Sequence, residues 1–259
     1  MHLNIVDTAI IFILTSCNGG SAQKATAKQD TPNSPAIASA ATVGTIPLPE
    51  SFARIAQQEN TFAAWLREIK LKKDNTVYLF DGRVKANQDA QFAVLDISVG
   101  DKNLQQCADA IMRLRAEYFF SRKEFTKIGF KDNNGVLYQF DAPYTRQRFM
   151  TYLEKVFGMC GTASLSKQLL PVAIKKMQVG DVLIKGGFPG HAVIVVDMAE
   201  NATGKKIFLL AQSYMPAQDI HILKNVNSGL PSPWYTLLES KNIFTPEYHF
   251  TNHQLKTWW

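Results

Sequence analysis

Residues 179–197 read Val-Gly-Asp-Val-Leu-Ile-Lys-Gly-Gly-Phe-Pro-Gly-His-Ala-Val-Ile-Val-Val-Asp. Gly180-Asp181 marks a turn, Val182–Lys185 a short strand, Gly186–Gly190 a loop, and His191 opens an apolar, β-branched strand. An imidazole at such a strand mouth is held by rigid backbone while its ring stays free to exchange a proton, which is what a general base requires. Upstream, Gln105–Tyr118 has a helical pattern with Cys107 near its start. Asn103 is the expected N-cap and Gln106 the N3 residue, which puts Cys107 in the first turn, where the helix dipole favours a thiolate. A cysteine nucleophile and its base are therefore both available.

The same residues fit quieter roles. Cys107, Ile111, Leu114 and Tyr118 make an i, i+4, i+7, i+11 stripe, the signature of a helix face turned to the core. Cys160, the other cysteine of the domain, invites a Cys107–Cys160 disulfide, or both are small buried hydrophobes. The His191 strand is expected to return through Glu200–Gly204 into Lys206–Gln212, bringing His191 opposite residue 211 and placing Gln212, with Ser213 beside it, to orient the ring. Arg113 and Tyr214 are the expected substrate contacts; for Arg113 and Arg115 a solvated helix face is the competing role. Asp219 and His221 together with His191 are an alternative set of metal ligands, but there is no HExxH or CxxC spacing, no P-loop and no Rossmann fingerprint. No metal or cofactor is expected. Trp234, Tyr235, Trp258 and Trp259 are read as closing the core rather than stacking on sugars.

Outward from this centre, the pattern gives a helix over Thr61–Ile69 capped near Asn60, strands at Val77–Phe80 and Phe92–Ile97, and a turn at Asp81-Gly82. A hairpin joins Ile128–Phe130 to Val136–Phe140 through a primed Asn134-Gly135 turn. Helices follow at Thr145–Phe157, stopped by Gly158, and Ala163–Leu170, ended by Pro171. The fold class is α+β.

At the start, Ala9–Leu14 is apolar but too short to span a bilayer, and Leu14-Thr15-Ser16-Cys17 matches a lipobox. The expected organisation is a lipoprotein signal peptide over 1–16, lipidated Cys17 with a flexible Ala/Ser/Thr/Gln-rich tether over 17–45, and one catalytic domain over 46–259. Asn18 after the cysteine directs the anchor to the outer membrane of a diderm envelope. The net charge of +6 is scattered, which suits anionic envelope polymers better than nucleic acid.

Leu104–Ala110, Gly161–Leu165, Gly186–Asp197 and Leu210–Gln218 closely resemble a bacterial lipoprotein family built on domain of unknown function 4846, with similarity through the chain from Ile46. More distantly, the Gly-Asp strand, Gly-rich loop and His191 are similar to the NlpC/P60 and CHAP cell-wall amidases. That second resemblance implies a papain-like antiparallel sheet with the nucleophile helix packed on it. It further implies cysteine amidase or peptidase activity on peptidoglycan, with Cys107 as nucleophile, His191 as base and acid, Gln212 as orienting group and the Cys107 N–H in the oxyanion hole. The competing expectation is a non-catalytic envelope lipoprotein that binds cell-wall fragments or a protein partner.

Overall fold

A computed structural model describes residues 40–227, 232–237 and 242–258. The expected signal peptide, Cys17 and the tether up to residue 39 lie outside the described residues, as does Trp259. In chain order the elements are β1 (Phe52–Arg54), α1 (Phe62–Glu68), β2 (Gln91–Val94), α2 (Cys107–Ser121), β3 (Gly129–Lys131), β4 (Leu137–Gln139), α3 (Arg146–Met159), α4 (Thr162–Gln168), β5 (Leu170–Pro171) and β6 (Val182–Lys185). After them come β7 (His191–Asn201), β8 (Lys206–Gln212), β9 (His221–Leu223), β10 (Tyr235–Thr236), β11 (Asn242–Phe244), β12 (His249–Thr251) and β13 (Leu255–Thr257).

The chain is a mixed helix and sheet protein. Its main sheet runs β2-β9-β8-β7-β6-β13-β5, with β1 added to β7 and β10 to β8, and every pairing is antiparallel. The central strand β7 is buried from His191 to Ala199, so the run of β-branched residues is a strand covered on both faces. Helix α2 packs on that sheet, and its Cys107, Ile111, Leu114 and Tyr118 are all buried. Across the fold, Asp197 of β7 is fully buried between Arg54 Nε at 2.8 Å and Arg67 Nε at 2.6 Å, tying β1 and α1 to the sheet.

Several boundaries differ from the sequence expectation for local reasons. Helix α2 is capped by Gln106, whose N–H donates to Asp109 Oδ2 at 3.0 Å, so Cys107 is the first helical residue. The expected cap, Asn103, instead accepts from the Ala217 N–H at 2.8 Å. Val77–Phe80 forms isolated bridges to Val84 and Gln218 rather than a strand. In the β3–β4 hairpin the Gly135 N–H donates to Asp132 O and only Gly135 has positive φ, which is a three-residue loop with a glycine bulge rather than a primed turn. The Asp132 carboxylate selects it by accepting the Asn134 and Val136 N–H groups. Helix α3 runs through Gly158 because that glycine keeps an ordinary helical φ. Helix α4 stops at Gln168 because Leu170-Pro171 is drawn into the sheet beside β13.

Candidate functional site

The β7–β8 pairing sets the site. Asn201 caps the connecting turn, its Oδ1 accepting the Thr203 and Lys205 N–H groups at 3.1 and 2.9 Å, and a bulge lies between Val195 and Asp197. Together they shift the register by three positions, so that Ala211 faces Ile194 instead of His191. Gln212, one residue on, shares a sheet face with His191 as its diagonal neighbour and stands directly opposite His221 of β9. The candidate orienting group therefore reaches its ring through a register that the sequence did not predict.

His191 Nε2 lies 2.8 Å from Gln212 Oε1. The protonation pattern follows from the next bond outward, because Gln212 Nε2 is 2.7 Å from Glu247 Oε2 and a carboxylate only accepts. That fixes the amide with its oxygen toward His191, so His191 carries its proton on Nε2 and leaves the Nδ1 lone pair free. The second amide N–H faces His221 Nε2 at 3.3 Å, while His221 Nδ1 donates to Asp219 O at 2.9 Å. Both nitrogens of His221 are thus engaged, and the alternative in which it joins His191 on a metal has no lone pair to offer. Among the described residues no cluster of three or more His, Cys, Asp or Glu side chains is placed to hold a metal ion.

Glu247 is itself held by Lys85 Nζ at 2.8 Å and Asn87 Nδ2 at 3.1 Å. It stands in the tight turn Thr245–Tyr248 between β11 and β12, closed by the Thr245 N–H on Tyr248 O at 2.8 Å. The same hairpin lays Tyr248 and Phe250 against the His191 ring, with centroids at 5.0 and 5.9 Å, and Tyr214 approaches at 4.7 Å. Tyr214 thus flanks the His191 ring.

Cys107 is buried at the start of α2, and the backbone N–H groups that bear on its thiol include that of Ala192, the residue after His191. Burial pushes the thiol up to about 11 and Asp109 adds to the rise, against the smaller opposing pull of the Ala108, Ala192 and Cys107 backbone. Burial also pulls His191 down to about 4, against the opposing pull of Gln212 and Glu247. The resting site is a neutral thiol and a neutral imidazole, which corrects the thiolate expected from helix position alone. Asp109 is raised to about 8 by burial, so it is largely protonated at neutral pH and does not then repel a thiolate.

The remaining candidates sort plainly. Cys107 and Cys160 are both free, so the disulfide alternative is excluded. Arg113 is buried on α2, with Nε on Glu117 at 2.6 Å and Nη1 on Gln105 Oε1 at 3.1 Å. Ser213 Oγ is spent on the Gln105 and Gln218 carbonyls at 3.1 and 2.8 Å, which locks the loop before Cys107 to the one after β8. Trp234 and Tyr235 are buried in the core. A large cavity lies elsewhere, beside the second half of α2 and the β3–β4 hairpin.

The chain is a mixed helix and antiparallel-sheet protein in which His191, Gln212 and Glu247 form one hydrogen-bonded chain and Cys107 begins α2. It belongs to the family of the domain of unknown function (4846), whose model matches residues 43–142 and 138–257. No curated protein and no solved structure matches the chain.

Proposed function

We propose that this protein is a papain-like cysteine amidase or peptidase of the cell envelope, acting on peptidoglycan at the muramoyl–L-alanine amide or within the stem peptide. The observation that carries the reading is the single tautomer assigned to His191: Gln212, itself fixed by Glu247, holds the proton on Nε2 and leaves Nδ1 as a base. In this scheme Nδ1 takes the Cys107 proton as the sulfur bonds to the amide carbon, and the carbonyl π electrons move to oxygen. The carbonyl then re-forms and the C–N bond breaks, the nitrogen leaving with the proton from His191. Water, deprotonated by His191, attacks the thioester, and the sulfur leaves and regains its proton. Backbone N–H groups at the start of α2 are the candidate oxyanion donors. The envelope location, the signal peptide over 1–16, the lipid on Cys17 and the 17–45 tether belong to the same proposal and rest on the lipobox. No cofactor or nucleic acid enters it.

A second reading, a binding module for cell-wall fragments or a protein partner, is favoured by one observation. Cys107 and His191 are only 8 % and 2 % exposed, under Tyr214 and Tyr248, with the thiol raised and the imidazole lowered. The test is release of new amines from purified sacculi by the full chain. Amidase chemistry predicts release that Cys107→Ala and His191→Ala each abolish with the thermal melt nearly unchanged. Binding to sacculi without release transfers the conclusion to the binding module, and neither binding nor release removes the envelope substrate.

A further inference from the structure

Arg115 projects from the second half of α2 into a box of aromatic rings. Its guanidinium carbon lies 4.5 Å from the Phe119 ring centroid, 4.8 Å from Phe62, 5.1 Å from Trp258 and 5.8 Å from Tyr118. The other arginines of the fold interior have carboxylates: Arg54 and Arg67 share Asp197, and Arg113 pairs with Glu117. Arg115 has no ion pair and no hydrogen-bond acceptor among the described residues, and the Glu124 carboxylate that acts on it from farther away is already paired with Lys127, although a guanidinium carries five donors. Burial pulls it down to about 10, so it keeps its charge at neutral pH. Ring faces attract that charge, but they do not satisfy donors directed at a planar anion.

The guanidinium borders a cavity of about 1190 Å3, ample for a ligand larger than one sugar ring. Phe119, Phe130 and Trp258 give it flat apolar walls, and Lys131 and Lys167 stand on the same lining. The acids there are already used: Glu124 is bound by Lys127 at 2.6 Å, and Asp132 accepts the Asn134 and Val136 N–H groups at 2.8 and 3.0 Å. The uncompensated charge is therefore positive. The Asn133 side chain shares the lining with the rings, a mixture suited to a ring that offers C–H faces and hydroxyls together.

We propose that this cavity is a binding site for a carboxylated glycan, with a sugar ring against the aromatic wall and its carboxylate forked on Arg115. The site is separate from Cys107 and His191 and stands whether or not those residues perform catalysis. Trp258 supplies an intrinsic fluorescence reporter. Titration of the full chain with N-acetylmuramic acid and glucuronic acid, against N-acetylglucosamine and glucose, is expected to give at least tenfold tighter binding of the acids than of their neutral counterparts. The two acids distinguish a lactyl from a uronic carboxylate. Arg115→Gln should erase that preference, and Arg115→Lys should keep part of it. Lys131→Ala with Lys167→Ala, which leaves the buried box intact, should weaken acid binding and flatten its salt dependence, so the test survives a misfolded Arg115 variant. Equal binding of acidic and neutral sugars overturns the proposal, as does no binding of either acid. Inorganic phosphate competing as well as the sugars overturns the glycan assignment, and a folded Arg115→Gln that keeps the preference overturns the role of Arg115.

Discussion

Glu247 acts on His191 only through an amide. If its carboxylate fixes the Gln212 rotamer, then Glu247→Gln allows the amide to turn over and present N–H to His191, moving the imidazole proton to Nδ1. Nitrogen NMR of the ring should report Nε2 protonation in the wild type and a mixture in the variant, and the amide hydrolysis proposed above should fall by roughly tenfold or more, since a misplaced base forfeits much of a 10²–10⁴ contribution. Acid should act on the same residues. The folded pKa values of His191 and His221 are depressed by burial to about 4 and about 3 from 6.5, so the unfolded chain binds more protons than the native one below that value. Stability contributed by keeping both rings neutral is present above pH 6.5 and is lost as pH falls toward 4. Chemical denaturation across that window should show proton uptake on unfolding, and His191→Gln should reduce it by about one proton. Cys107, His191 and Gln212 could be picked out as candidates from sequence because each carries a local signal: a helix start, a strand mouth and a strand end. Glu247 and Lys85 were not, because a turn glutamate and a buried lysine acquire meaning only when residues as far apart as 85 and 247 meet, and His221, singled out only as a metal candidate, is instead held by Gln212 and the Asp219 carbonyl.

The Gly186–Gly190 loop is the element that delivers His191, and it does so by packing backbone where no side chain fits. A Cβ on Gly190 would collide with Gly187 O, Thr162 Oγ1 and Lys185 O. Gly190→Ala is expected to displace His191 and alter its NMR environment while leaving most of β7 protected from hydrogen exchange. At the other end of β7, Asp197 fastens two neighbouring elements. Asp197→Ala strands Arg54 and Arg67 against a buried apolar site, at a cost of roughly 3–5 kcal/mol, to be read as a lowered denaturation midpoint. Element identity was largely readable: β6, β7, β8, α2 and α3 all lie where periodicity placed them. Register was not, because the bulge after Val195 and the Asn201 cap are decided by side-chain hydrogen bonds that a period-2 pattern does not encode.

Across the whole molecule, residues near opposite ends of the domain complete each other's structure. Strand β13 lies between β6 and β5, and the β11–β12 hairpin supplies Glu247 and the rings over His191. That topology was beyond the sequence, since β13 is three residues long and reads as no strand by itself. A chain ending after residue 241 would leave β6 with an unpaired edge and the Gln212 amide without its carboxylate, and it is expected to be cleaved by protease far faster than the full chain under identical conditions. There is a temporal side to this arrangement. A ribosome makes residues 242–258 after everything they fit into, so through most of translation the growing polypeptide holds its cysteine, imidazole and amide without the part that sets the ring's proton. On the reading proposed above, a product interrupted before residues 242–258 would be inert as well as degradable.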